Sequence, residues 1–312
     1  VRIVVIGATG HVGTYLIPRL VALNHDVTAI SRGKRQPYVP HQAWSKATSL
    51  ALDSDDPGFA AKVAELRPEA VIDMICFTEK RAKALVEALR DVKHFLSCGT
   101  IWVHGHTTVV PTTEDQPRRP FGDYGIHKAM IEEYLLGEQR RSGFPATLLH
   151  PGHIVGPGHV PVNPAGHKNL EVFSRLARGE EVALPNLGLE TLHHVHASDV
   201  AEAFVLALQK PDAAIGESFH VVSPTAVTLR GYAEAVASWF NKPARLRFLP
   251  FDEWKQHELL ADVELTWDHL AHSPHASIDK ARRFLDYVPR YSSLAAVRES
   301  VNWLVTHGKI GT

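Results

Sequence analysis

The chain opens on "VRIVVI", a short β-branched apolar run closed by a glycine, the pattern of a strand buried on both faces from Val1 to Ile6. The period then changes. Val12, Leu16, Leu20 and Leu23 recur at helical spacing, so His11 to Leu23 predicts a helix with one apolar stripe. "DVTAIS" (Asp26 to Ser31) returns to strand character, as do "AVIDMIC" (Ala70 to Cys76) and "HFLSC" (His94 to Cys98). Between the last two, Ala82, Leu85, Val86 and Leu89 mark a helix. "ATLLH" (Ala146 to His150) and "SFHVV" (Ser218 to Val222) predict later strands. Strands alternating with helices build a parallel sheet covered on both faces, a doubly wound α/β fold. From about Pro157 the pattern loosens into turns and short helices. The expected organisation is a main domain over 1–156 with a returning segment at about 195–224, and a smaller lobe from 157–194 and 225–312.

Composition narrows the classes. The chain has 312 residues, 45% of them hydrophobic, enough for a large core. Its formal net charge of −1 supplies no field to draw nucleic acid or a membrane surface. No stretch reaches the roughly 18 apolar residues of a membrane span. Cys76 and Cys98 sit in apolar segments and make no disulfide framework, so a reducing, cytoplasmic setting is expected. The 20 histidines are the one compositional oddity.

Candidate chemistry begins with "VIGATGHVG", where Gly7, Gly10 and Gly13 fall at every third position between the first strand and helix. Glycines there bring backbone close to a ligand and aim the free N–H groups of a helix start at it, which suits a pyrophosphate. Gly7, Thr9, Gly10, His11, Val12 and Gly13 are therefore the candidate dinucleotide cradle. At the end of the second strand, where NAD binders place an acid on the ribose, stands Ser31, followed by Arg32, Lys34 and Arg35. A carboxylate repels a 2′-phosphate and a guanidinium holds one. NADP is the expected cofactor and NAD the alternative. Asp53, after "SLAL", is a candidate for the adenine or for a cap on the turn "DSDDP".

"DYGIHKAMIEEYL" sets Tyr124 and Lys128 four residues apart, on one face of a helix. A tyrosine with a pKa near 10 must ionise about three pH units early to act as a base at neutrality, roughly 4 kcal/mol. A cation about 4 Å away supplies a similar amount at an effective dielectric of about 20. Lys128, with the positive ring of an oxidised nicotinamide, would make Tyr124 an acid–base for an alcohol or ketone.

Here the chain resembles the extended short-chain dehydrogenase/reductase family, its NAD(P)-dependent epimerase/dehydratase group. "IGATGHVG", "FLSCGTIWVHG", "PTTEDQPRRPFGDYGIHK", "HPGHIVGPG", "VHASDVAEAF" and "HASIDKARRFLDYVP" are similar to its successive motifs through most of the sequence. The resemblance implies a Rossmann-type fold with a smaller C-terminal substrate lobe. It implies Tyr124 as acid–base and Lys128 on the nicotinamide ribose. Thr100 falls where the family hydrogen-bonds the substrate oxygen, although Ser97 lies in the same segment. A homodimer through the helix bearing Tyr124 and the segment 79–92 is implied as well.

Several positions depart from the family pattern. His104 stands where a tyrosine is usual, His150 where an arginine is frequent and His153 where an asparagine is frequent; His104 and His153 become candidate substrate contacts. The arginines that grip a diphosphate in nucleotide-sugar members are missing at Leu192 and around His272, leaving Arg175, Arg178 or Arg245 as substitutes from another direction. The expected activity is therefore NAD(P)-dependent redox or epimerase chemistry at a carbinol or ketone of a sugar-like small molecule. A nucleotide-sugar 4-epimerase and a non-catalytic dinucleotide- or RNA-binding relative are the alternatives. His194 and His196 share one strand face without a third ligand at suitable spacing, so no metal is expected, and Asp199 with Glu202 predicts a helix cap.

Overall fold

The computed structural model describes residues 1–257 and 260–311. Seven strands form one parallel sheet: β1 (Arg2–Ile6), β2 (Asp26–Ser31), β3 (Thr48–Ala51), β4 (Ala70–Asp73), β5 (His94–Cys98), β6 (Ala146–Pro151) and, far along the chain, β11 (Ser218–Val221). Their order is β11-β6-β5-β4-β1-β2-β3. The direction of winding reverses between β1 and β4, which pair from Ile3↔Ala70 to Ile6↔Asp73. In a sheet of this kind ligands bind at the carboxyl ends of the strands flanking that reversal.

Helices α1 (His11–Ala22) and α6 (Ala197–Gln209) cover one face; α2 (Phe59–Glu65), α3 (Glu79–Ala88) and α4 (Gly122–Ser142) cover the other. Two apolar cores result, one around Ile3, Val5, Leu16 and Phe204, the other around Val4, Ile6, Val71 and Leu135. The alternation of Ile3 and Val5 against Val4 and Ile6 is what a strand buried on both faces requires.

A third core gathers the short elements of the second half. These include β7 (His153–Val155), α5 (Glu171–Arg178), β8 (Glu181–Pro185), β9 (Thr191–Leu192), β12 (Val227–Thr228), α8 (Leu229–Trp239), β13 (Arg245–Leu249), α10 (Val263–His272) and α12 (Ser293–Thr306). β10 (His194–His196) pairs with β7 but buries Val195 in the core of the main sheet. The short helices α7 (Pro211–Ala214), α9 (Phe251–His257) and α11 (Asp279–Leu285) complete the chain. Residues 276–287, expected in the lobe, pack instead in the core of the main sheet through Ala276, Ile278, Ala281, Leu285 and Tyr287.

Two local expectations change. The fourth strand stops at Asp73 rather than Cys76, because the Asp73 carboxylate accepts the Ile75 N–H at 3.0 Å and, through both its oxygens, Nη2 of Arg81 at 2.9 and 3.0 Å, turning the chain. Asp199 does not cap α6. The His196 ring does, accepting the Ser198 N–H at 3.1 Å, while Asp199 accepts the Tyr291 N–H and Glu202 pairs with Arg19.

Candidate active site

The glycine loop joins β1 to α1. Gly7 turns at φ +85°, and a side chain on it would strike Ile75. Gly13 faces the other way: a Cβ there would lie 1.9 Å from the Ala8 carbonyl oxygen, so α1 touches the strand end only because this residue has none. The loop lines a cleft with Ile6, Thr9, Gly10, Ile30, Ser31 and Arg32. Lys34, Arg35 and Leu52 close its far end. Its bare backbone floor, the helix start at Gly10 and the basic rim fit the phosphates of a dinucleotide.

The side chains of the expected cofactor residues divide. Arg32 is exposed on the rim, and Ser31 accepts the Gly33 N–H at 3.2 Å. Val12 points into the core beside Leu16. His11 leaves the cleft and stacks on His159 at 5.0 Å and against Tyr38 at 5.0 Å, so it meets a cofactor only through backbone. Asp53 is in its turn, accepting the Asp55 N–H at 3.1 Å, while its neighbours Leu52 and Ser54 line the cleft.

At the mouth of the neighbouring strands lies Lys128, 3% exposed. Its Nζ donates to the Cys76 and Cys98 carbonyl oxygens, 2.8 and 2.7 Å away, in the turn after β4 and at the end of β5. Burial lowers its pKa. Tyr124, one turn earlier on α4, is 42% exposed, and its ring centre lies 5.8 Å from Nζ. Burial around the phenol raises its pKa above the usual 10, and the Thr100 side chain acts in the opposite direction. Lys128 thus spends two of its three N–H groups on carbonyls while its positive charge stays within 5.8 Å of the Tyr124 ring centre. Thr100 is buried, caps the turn that follows β5, and accepts the Trp102 N–H at 3.3 Å. Ser97 is buried within β5, three residues before Thr100 and paired with Asp73.

Trp102 is the centre of a cluster of aromatic rings beside Tyr124. Its indole meets the Tyr124 ring edge-on at 5.8 Å and stacks on His272 at 4.2 Å. His272 stacks on Phe121, and Phe121 on His106, at 4.0 and 4.1 Å. His153 lies 6.0 Å from Trp102 and 5.4 Å from His269, in the same cluster of rings. His104 does not. It is buried, with Nε2 2.8 Å from Nε2 of His220, and serves the interior rather than a ligand. Sequence reading missed Trp102, Phe121 and His269; the signal available was the i, i+3 pair His269 and His272 on one helical face. Among the described residues, no group of three or more His, Cys, Asp or Glu is arranged to hold a metal ion.

A parallel sheet with this cleft at its switch point and a Tyr–Lys pair beside it defines a dinucleotide-dependent oxidoreductase of the short-chain dehydrogenase/reductase kind. A model of the NAD dependent epimerase/dehydratase family matches residues 3–221, and the chain belongs to that family, the extended branch of these enzymes. It is 25% identical to a 2′-dehydrokanamycin reductase of Streptomyces kanamyceticus, over 99% of this chain and 86% of the relative. It is 26% identical to a UDP-glucose 4-epimerase of Mycolicibacterium smegmatis, over 80% and 86%. The solved UDP-glucose 4-epimerase of Thermotoga maritima, with UDP-glucose, superposes with a TM-score of 0.73 over 98% of this chain and 99% of that one, at 21% identity. No helix among the described residues is long and apolar enough to cross a membrane.

The buried histidines give the protein a distinctive acid response. Burial holds His11 and His194 down at about 3, and His193, His269 and His272 at about 4; His153 and His220 lie well below their ordinary value. In the unfolded chain each titrates near 6.5. Below that pH the unfolded state binds more protons, so stability falls as pH drops from about 6.5 toward 4. Thermal unfolding followed from pH 8 downward should show the melting temperature falling from near pH 6.5. A melting temperature held constant to pH 5 would mean that carboxylates, not imidazoles, set the acid limit.

Proposed function

We propose that the enzyme moves a hydride between NADP(H) and a carbinol or ketone carbon of a sugar-like molecule that carries no nucleotide diphosphate, with Tyr124 giving or taking the proton. The observation that carries this reading is the convergence of Tyr124, Thr100 and Lys128 beside the glycine-loop cleft. Thr100 holds the substrate oxygen next to the Tyr124 hydroxyl. Lys128 orients the nicotinamide ribose, and the positive ring of the oxidised cofactor supplies the charge that lowers the phenol's pKa. Ser31 and the Arg32, Lys34 and Arg35 rim favour a 2′-phosphate on the adenosine ribose, which makes NADP the preferred cofactor. The exposed Ile126 and Met130 on α4 support a homodimer through that helix and α3.

The substrate reading rests on what surrounds Trp102. The wall presents rings and uncharged imidazoles, since burial keeps His153, His269 and His272 neutral at physiological pH. Leu192, at one of the two arginine positions of nucleotide-sugar members, is fully buried. Arg175 and Arg178 are committed to Glu171, and Arg178 to Glu180 as well. Lys168, whose charge reaches His269, suits at most a singly charged substituent. A neutral or singly charged sugar, sugar acid or polyol fits such a wall. Similarity to both a keto-aminoglycoside reductase and sugar-nucleotide epimerases supports the sugar class.

A panel of UDP-glucose, UDP-galactose, glucose, glucuronate and kanamycin, read both by reduction of NADP+ and by chromatographic detection of epimerised product, identifies the substrate class. With the panel compound that turns over, Tyr124→Phe should keep cofactor affinity and lose about 10²- to 10⁴-fold in kcat. Wild-type turnover in that variant overturns the role of Tyr124. Arg32→Ala should weaken NADP+ binding and leave NAD+ binding unchanged; equal loss for both would reject the phosphate pocket. Calorimetry of cofactor-loaded enzyme with UDP, dTDP and GDP should show no micromolar binding. Two missing charge-assisted contacts at about 1.5–3 kcal/mol each weaken such a ligand by a few powers of ten. Micromolar binding that competes with turnover would make the chain a nucleotide-sugar epimerase.

A further inference from the structure

Glu132 and His150 form a continuous hydrogen-bonded path from the surface arginine Arg118 to the backbone of Thr100. His150 lies at the end of β6 with no exposure at all. Its Nδ1 is 2.9 Å from the Thr100 backbone nitrogen, which must be the donor. Nδ1 therefore carries the lone pair, and the ring proton is on Nε2, 3.1 Å from Oε1 of Glu132. Arg118 clamps the same carboxylate with two nitrogens, at 3.1 and 2.7 Å, and holds the Ser218 hydroxyl at 3.1 Å. Against burial, which raises it, the hydrogen bonds from Arg118 and from the His150 Nε2–H hold the Glu132 carboxyl well below the usual carboxylate range, so it is an anion.

Two features show that this contact is built rather than incidental. The residue before Thr100 is Gly99, and a Cβ on it would come within 2.2 Å of His150 Nδ1. The backbone can approach the ring only because that side chain is missing. Glu132 also lies on α4 eight residues after Tyr124 and four after Lys128, so one helix carries the reacting phenol, the buried ammonium and the carboxylate that aims the imidazole.

We propose that Glu132 and His150 are positioning residues: they fix the peptide of Thr100, and through it the direction of the Thr100 hydroxyl toward Tyr124. This rests on the role given to Thr100 and Tyr124 above. Neither residue touches the reacting atoms. An arginine at position 150 would pair with Glu132 equally well, yet it has no lone pair for the Thr100 N–H. The imidazole is chosen for its acceptor.

Two measurements test the relay. The first needs no substrate. Nitrogen-15 NMR of histidine-labelled protein, with the His150 signal assigned by its loss in His150→Asn, should show at neutral pH a bare Nδ1 and a protonated Nε2. Hydrogen exchange at the Thr100 amide should be faster in His150→Leu and slow again in His150→Asn, whose side-chain oxygen takes the place of Nδ1. A proton on Nδ1, or unchanged Thr100 exchange in His150→Leu, overturns the relay. The second uses the panel sugar that turns over. His150→Leu should lower kcat about ten-fold or more with KM within about two-fold, a loss of alignment rather than of binding. Thr100→Val should do the same, and the double variant should be no worse than the poorer single one. Full additivity would mean that His150 acts elsewhere, overturning the relay alone. A Thr100→Val variant with wild-type kcat overturns the assignment of Thr100, which the exchange measurement tells apart.

Discussion

The ammonium of Lys128 is the fastening on which the site depends. A buried cation without a carboxylate partner must be satisfied by dipoles, and the Cys76 and Cys98 carbonyls provide them from the turn after β4 and the end of β5. Both carbonyls must turn inward together, which dictates how the chain leaves β4 and β5. Asp73 and Arg81 fix the first exit. Gly99, Thr100 and His150 fix the second. Tyr124 is then carried to the same place by the helix that carries the lysine. Removing the ammonium would free both exits and leave two inward carbonyls unpaired, so the position serves architecture as much as chemistry.

The wall around Trp102 is the complement of this charged floor. Around the indole stand the rings of Tyr124, His153, His269 and His272, and burial keeps the three imidazoles neutral at physiological pH. On the reading proposed above, selectivity would rest on stacking area and hydroxyl geometry.

How much of this was legible depended on the range of the interaction. β1, α1 and β2 were readable because a run buried on both faces, or an i, i+4 stripe, declares itself within a dozen residues. The pairing of Tyr124 with Lys128 is local in the same way. β3 was not readable: Thr48–Ala51 is an edge strand with mostly exposed side chains and no apolar run. The exit at Asp73 was hidden because the side chain that ends the strand is itself part of an apolar-looking segment. His104 and His153 were indistinguishable as departures from a motif. Only the fold shows that one faces His220, 116 residues away, and the other faces Trp102. The path through Glu132 and His150 likewise joins segments that have no common pattern in sequence.

α4 is a single unbroken helix from Gly122 to Ser142, and Tyr124, Lys128 and Glu132 follow one another on it at steps of four. Each residue inserted into an α-helix rotates everything beyond it by about 100°. A one-residue insertion or deletion between 124 and 132 would therefore not shift one group slightly; it would swing the lysine or the glutamate out of the interior altogether. The neighbouring stretch 106–121 is irregular, and its length can drift as long as Arg118 still reaches Glu132. Descendants of this sequence can vary the approach to the helix in length, but within these nine residues they can change only by substitution.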